Sequence, residues 1–206
     1  MYQYTLPLLG LVFSVSVLAD DASQASSING CTLEPGADCS GMDLRNADLS
    51  NLDLSRINLS QANLSGANLR HTKLDLASLE GANLSQANLT RASLQQARLQ
   101  GANLYKTQLV AINGWAMLAQ GVQAEKANLY AANLEFSRWS GAKLIGANLT
   151  ASNLEMAWFT RADLRKAKLI DSNMQEAKLS EANMAKADMS GARRHYATFL
   201  GAHMDG

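Results

Sequence analysis

An excess of charge of either sign is missing from this chain: 18 Lys and Arg stand against 18 Asp and Glu in 206 residues. With that balance nothing suggests a nucleic-acid tail or a halophilic surface. Aromatic residues are scarce at 6 %, and only two prolines and two cysteines occur. A large aromatic core and a dense disulfide framework are therefore both excluded. Long hydrophobic runs are lacking too, apart from one of 13 residues, Leu6 to Leu18. The three histidines, His71, His195 and His203, are scattered, and no Ser or Cys is paired by spacing with a base.

What is present is a period. Leucine recurs at every fifth residue from Leu44 through Leu109, usually with Ala two places before it and Asn or Asp one before, as in Ala62-Asn63-Leu64 and Ala82-Asn83-Leu84. A step of five rotates side chains by about 140° on a helix and scatters them. In a straight strand an odd step sends them to alternate faces. The leucines share one interior only if the chain turns a corner once per repeat. Four corners close a square, so about twenty residues make a coil, and coils stack at about 4.8 Å. Leu fills the axis and small Ala also points inward. Asn or Asp suits the tight turn, and Gly two places after Leu, as at Gly66, Gly81, Gly101, Gly141 and Gly146, relieves the corner.

These residues resemble the pentapeptide-repeat family, whose motif is a small residue, Asn or Asp, Leu or Phe, then Ser, Thr or Arg, and often Gly. The resemblance spans Ala37 to Met204. It implies an all-β fold, a right-handed quadrilateral parallel β-helix with about four pentapeptides per coil and about eight coils. The solenoid is expected over residues 41–206.

The ends read differently. Residues 1–19 fit a secretory signal peptide cleaved after Ala19, although no Lys or Arg precedes the apolar run. Export to a periplasm, a lumen or the extracellular space is expected, with no stable membrane span after cleavage. Residues 20–40 form an N-terminal cap, with Asp20 to Asn29 either a short helix or loose. Cys31 and Cys39 flank a Glu34-Pro35-Gly36 turn and read as a disulfide in an oxidising compartment, Cys39 taking an inward Leu position. Bulkier residues at early Ala positions, Met42, Leu52 and Ile57, suit an end coil with one neighbour.

Between Val110 and Lys126 the signature fades, then returns at Ala127-Asn128-Leu129. Since Leu109 and Leu129 are one coil apart, a degenerate coil in phase is expected, with a loop bearing Trp115 as its rival. Arg194 occupies a centre, where an unpaired guanidinium is costly to bury. The last coil is therefore read as irregular there, or the solenoid as ending near Met189. Unpaired edges at an uncapped coil suggest an end-to-end homodimer through 191–204.

Residues twenty apart form columns. The side of Leu144, Leu164 and Met184 carries Lys143, Arg165, Lys166 and Lys186 against Asp163. One candidate binding face is the column of Arg98, Arg138, Trp158 and Lys178, because Trp and Arg are interface hot-spot residues. A second holds Glu135, Phe136, Glu155, Met156, Glu176 and Tyr196. The carboxylates of Glu135 and Glu155 lie on a flat ladder without a cleft, so no catalytic residues are assigned, and neither a metal nor a cofactor is expected. The function read from the chain is an exported, non-enzymatic protein-interaction scaffold with an unidentified protein partner. The best-known members of the resembled family protect DNA gyrase by imitating duplex DNA, which gives the first alternative. A neutral, exported chain fits it poorly, and nucleic acid is disfavoured as a partner. A carbohydrate-binding or carbohydrate-active β-helix is the second alternative.

Overall fold

Each five-residue repeat is organised by one turn. The Leu carbonyl accepts the N–H three residues on, as in Ala47 N to Leu44 O at 3.2 Å, and the residue two after the Leu has positive φ. This is a type II turn. Positive φ recurs at every fifth residue from Gly36 to Gly201, mostly at residues other than glycine. Where Asn or Asp precedes the Leu, its side chain buttresses the corner from outside. Asp48 Oδ1 accepts the Ser50 N–H at 3.1 Å, and Asn83 Oδ1 accepts that of Ser85 at 3.1 Å. The side chain thus supplies an acceptor that the turning backbone lacks.

The computed structural model describes residues 27–205. The expected leader at 1–19 and the start of the cap lie outside the described residues. Parallel bridges join residues twenty apart in unbroken succession, from Asp38↔Asn58 to Asn183↔His203. Leu64 stacks against Leu84, its N–H reaching Asn83 O at 2.7 Å. The chain is thus a right-handed quadrilateral parallel β-helix. Its walls are named here by their centres: wall 1 from Leu44, wall 2 from Leu49, wall 3 from Leu54 and wall 4 from Leu59. The Leu and Ala positions form one continuous buried column from Cys31 to Met184. Each buried Leu stabilises the tube by about 1.5–3 kcal/mol relative to exposure.

The N-terminal end is closed. A hairpin of β1 (Ser27–Ile28) and β2 (Cys31–Thr32) folds over it, so the chain at Ser27 and Ile28 is strand rather than the helix considered above. Cys31 and Cys39 form a disulfide with Cα atoms 5.0 Å apart, and both are fully buried. Asn29 donates its side-chain amide to the Asp43 carbonyl at 2.7 Å, satisfying an acceptor that has no coil beneath it.

Residues 110–126 form a coil and not a loop: Asn113, Leu118 and Gln123 each bridge to the coils on both sides. The size pattern is inverted there. The centres are Gly114, Ala119 and Ala124, while the positions usually held by Ala carry Ile112, Met117 and Val122, all buried. Volume moves two places along the chain and the tube stays filled. Ala119 also faces Trp139, which stacks with Phe159 at 6.2 Å and donates its indole N–H to Ser137 Oγ at 2.9 Å.

At the C-terminal end the expectation about Arg194 is corrected. The coil remains regular beyond Met189: Arg193 bridges Asn173, Thr198 bridges Lys178, and Tyr196 has the corner φ of 58°. Arg194 is exposed, because in the outermost coil an inward position opens to water. Among the described residues, the N–H groups of Met189, Arg194 and Phe199 and the carbonyls of Ala187, Ala192 and Ala197 have no backbone partner.

Candidate functional site

The two candidate faces meet. Phe136 stands at the corner joining walls 3 and 4, and Arg138, two residues on, is the first outward residue of wall 4. Met156 and Trp158 repeat this one coil higher, and Glu176 and Lys178 one coil above that. What the sequence presents as separate columns is one surface folded over one edge of the square.

Trp158 is the centre of that surface. Arg138 Cζ lies 5.0 Å from the ring centroid and Lys178 Nζ lies 4.2 Å from it, one from the coil below and one from the coil above. The exposed ring therefore does have a packing reason, since cations over an aromatic face are attracted by its quadrupole. The arrangement also holds both long cationic side chains in place. Arg98 does not join them: it pairs with Glu80 at 2.6 Å, and Leu118 separates it from Arg138 in the column.

Around the corner, Phe136 is 42 % exposed and Trp115 meets it edge-on at 6.1 Å. Trp115 extends the patch downwards and escaped the sequence reading because it sits in the coil whose signature fades. Phe136, Met156, Glu176 and Tyr196 all have positive φ, from 53° to 58°. Glu155 is engaged by the Asn173 amide at 3.0 Å. Tyr196 lies at the open end, edge-on to His195 at 4.5 Å, beside a shallow depression of about 420 Å³ lined by Gln175, Arg193, Arg194 and His195.

On wall 1, Asp163 pairs with Arg165 at 2.6 Å, and the hydrogen bond from that guanidinium holds the Asp163 carboxyl below its ordinary range. Among the described residues, Lys143, Lys166 and Lys186 have no such partner. Among the described residues, too, no His, Cys, Asp and Glu cluster has the grouping a metal ion needs, and no helix is long and apolar enough to cross a membrane.

Comparison with known proteins agrees with this geometry. The family profile described as Pentapeptide repeats (8 copies) matches residues 35–61, 43–81, 77–113, 127–165 and 159–193. It passes over 114–126, within the coil of inverted size pattern. Among curated protein sequences none matches significantly. Among solved structures, the chain is similar to HetL, a pentapeptide repeat protein involved in heterocyst differentiation regulation from the cyanobacterium Nostoc sp. strain PCC 7120. The two are 31 % identical over 82 % of this chain and 88 % of HetL, with a TM-score of 0.56. QnrB1, a plasmid-mediated fluoroquinolone resistance protein, is 15 % identical over 80 % of this chain and 83 % of its own, with a TM-score of 0.57, a likeness of fold alone. A profile matched along most of the solenoid, and one corner geometry repeated from Gly36 to Gly201, place this chain in the pentapeptide-repeat family.

Proposed function

We propose that the protein is an exported, non-enzymatic scaffold that binds a partner protein across the edge between walls 3 and 4. The observation that carries this reading is the continuous patch of Trp115, Phe136, Met156 and Trp158 with Arg138 and Lys178 clamped on the indole. Aromatic residues, Met and Arg are the types enriched where protein interfaces concentrate their energy. Arg138 and Lys178 already rest on the indole, so less of their side-chain freedom is left to lose on binding. Support for export comes from the apolar run Leu6 to Leu18 and from the Cys31–Cys39 disulfide, which suits an oxidising compartment.

Imitation of DNA is the poorer reading, because the patch is cationic and the chain as a whole is neutral. A second reading concerns self-association: the open coil supports end-to-end pairing of two copies through 191–204, where unpaired N–H and carbonyl groups border the partly covered Met189 and Phe199. Sedimentation of a monomer at high concentration would remove it.

The test of the scaffold reading is comparative capture from the exported compartment. The wild-type chain and a Phe136→Ser, Arg138→Ser, Trp158→Ser variant serve as baits, all three positions being outward. A protein retained by the first and lost by the second is the expected result. Capture that persists with the variant rejects this edge as the site.

A further inference from the structure

The edge diagonally opposite, between walls 1 and 2, has a different chemistry. Lys106, Lys126, Lys166 and Lys186 occupy the same corner position in successive coils, all exposed and all with φ of 56–60°. The one gap in the row is Gly146, and the Lys126 stem runs across it: Lys126 Cγ lies 4.0 Å from where a Cβ on Gly146 would stand. None of the four ammonium groups is in an ion pair among the described residues. The result is a row of positive charges along one edge, one coil (about 4.8 Å) apart except for the two-coil step across Gly146.

Wall 2, which starts at this row, carries a ladder of amides at Asn88, Gln108, Asn128 and Asn148, followed by Lys168 and Asp188 in the coils of Lys166 and Lys186. Asn128 donates to Gln108 at 3.0 Å and Asn148 to Asn128 at 3.1 Å, and each amide still has outward donor or acceptor capacity. Exposed tyrosines flank the ladder: Tyr105 on the lysine corner, 36 % exposed, and Tyr130 on the far corner, 46 % exposed. Lys106 Nζ lies 5.1 Å from the Tyr105 ring centroid, so a cation and an aromatic ring share one spot.

We propose that wall 2 and its lysine corner bind a linear anionic polysaccharide of the uronate type. Such a chain presents a carboxylate on each sugar for the ammonium row, hydroxyls for the amides and the apolar faces of its rings for Tyr105 and Tyr130. Duplex DNA, with its bases stacked inside the helix, would use the lysines and leave the amides and tyrosines idle. The site is independent of the protein-binding edge. Its position on the opposite side of the square leaves that edge free while the scaffold is held on a matrix.

The experiment uses the full chain with its disulfide formed, on a surface coated with polygalacturonate. Dextran sulfate and duplex DNA serve as charge controls. One variant changes the four lysines to Asn, a residue that tolerates the left-handed corner. A second, Tyr105→Ser with Tyr130→Ser, places there the residue found at Ser65 and Ser85 in the column of Tyr105 and at Ser50 and Ser190 in that of Tyr130, and thermal melts verify folding of both variants. The lysine variant is expected to lose at least tenfold in affinity for polygalacturonate and most of its salt dependence. The tyrosine variant should lose severalfold on polygalacturonate and nothing on duplex DNA. Absence of wild-type binding at low ionic strength overturns the proposal. So does a tyrosine variant that binds unchanged, or duplex DNA that competes as well as the polyuronate, since either leaves only unspecific charge.

Discussion

The corner residues carry a prediction about which side chains the coil tolerates. From Gly36 to Gly201 every fifth residue is left-handed; ten of these are glycine, and none is Val, Ile or Thr. The residue just before it, half-buried at the corner, is β-branched at Val110, Ile145, Thr150 and Ile170. The difference follows from φ, because a second heavy atom on Cβ collides with the backbone in the left-handed region. Ala151, with φ of 58°, and its neighbour Thr150 make a matched pair. Left-handed geometry costs an ordinary residue about 1–2 kcal/mol, and β-branching adds to that. Ala151→Ile is therefore expected to destabilise by about 2 kcal/mol, lowering the melting temperature by about 4–8 °C for a chain of this size. Ala151→Gly should stabilise by about 0.5–1 kcal/mol, relief of strain outweighing backbone entropy. Thr150→Ile should stay within about 0.5 kcal/mol of wild type. Solenoids open locally, so amide exchange resolved by coil is the assay, with urea unfolding beside it. If Ala151→Ile and Thr150→Ile prove equally stable, backbone handedness does not select these residues.

In the inverted coil, a Cβ added at Gly114 would come 3.0 Å from Leu134 Cδ2 and 3.4 Å from Met117 Cε. Gly114→Leu should cost about 1–3 kcal/mol alone and much less with Met117→Ala; additive effects in a double-mutant cycle would refute the exchange of volume. In the first coil, Asp38, Asp43, Asp48 and Asp53 stand one on each side, their carboxyls held below the ordinary range by hydrogen bonds from Ser40, Arg45, Ser50 and Ser55. Folded values below unfolded ones mean a stabilisation present above about pH 4 and lost as pH falls through the folded values. Amide protection of that coil should therefore fall in acid before that of the coils around Leu94, and simultaneous loss would contradict this. The disulfide closes a separation of 8 residues, for which chain entropy gives about 2.5 kcal/mol. Cys31→Ser with Cys39→Ala should raise exchange at the N-terminal end and leave coils beyond Leu94 unchanged; a uniform rise would show that the cap is coupled to the whole tube.

The square tube was legible because its information lies in the core: an unbroken register from Leu44 to Leu109 admits hardly any other path. The coil at 110–126 was harder to read, because Ile112, Met117 and Val122 carry the bulk where the repeat usually has Ala. A pattern sought at Leu positions does not see it. Arg194 was misread for want of a neighbour: the cost of burying a guanidinium applies only where another coil lies above. The proposed binding surface was legible residue by residue but not as a shape. Phe136 and Arg138 were assigned to different sides, and only the turn at the corner makes them adjacent. Trp115 was hidden in the faded coil, and the cationic clamp on Trp158 depends on side-chain directions that a column of letters does not contain.

The hairpin and disulfide at one extremity have a consequence for assembly. If two copies pair through 191–204 as proposed, the hairpin and disulfide leave each copy only that one open edge among the described residues. Copies that meet this way make closed couples and do not lengthen into fibres. Among the described residues, the covered N-terminal edge offers a further copy no strand to extend.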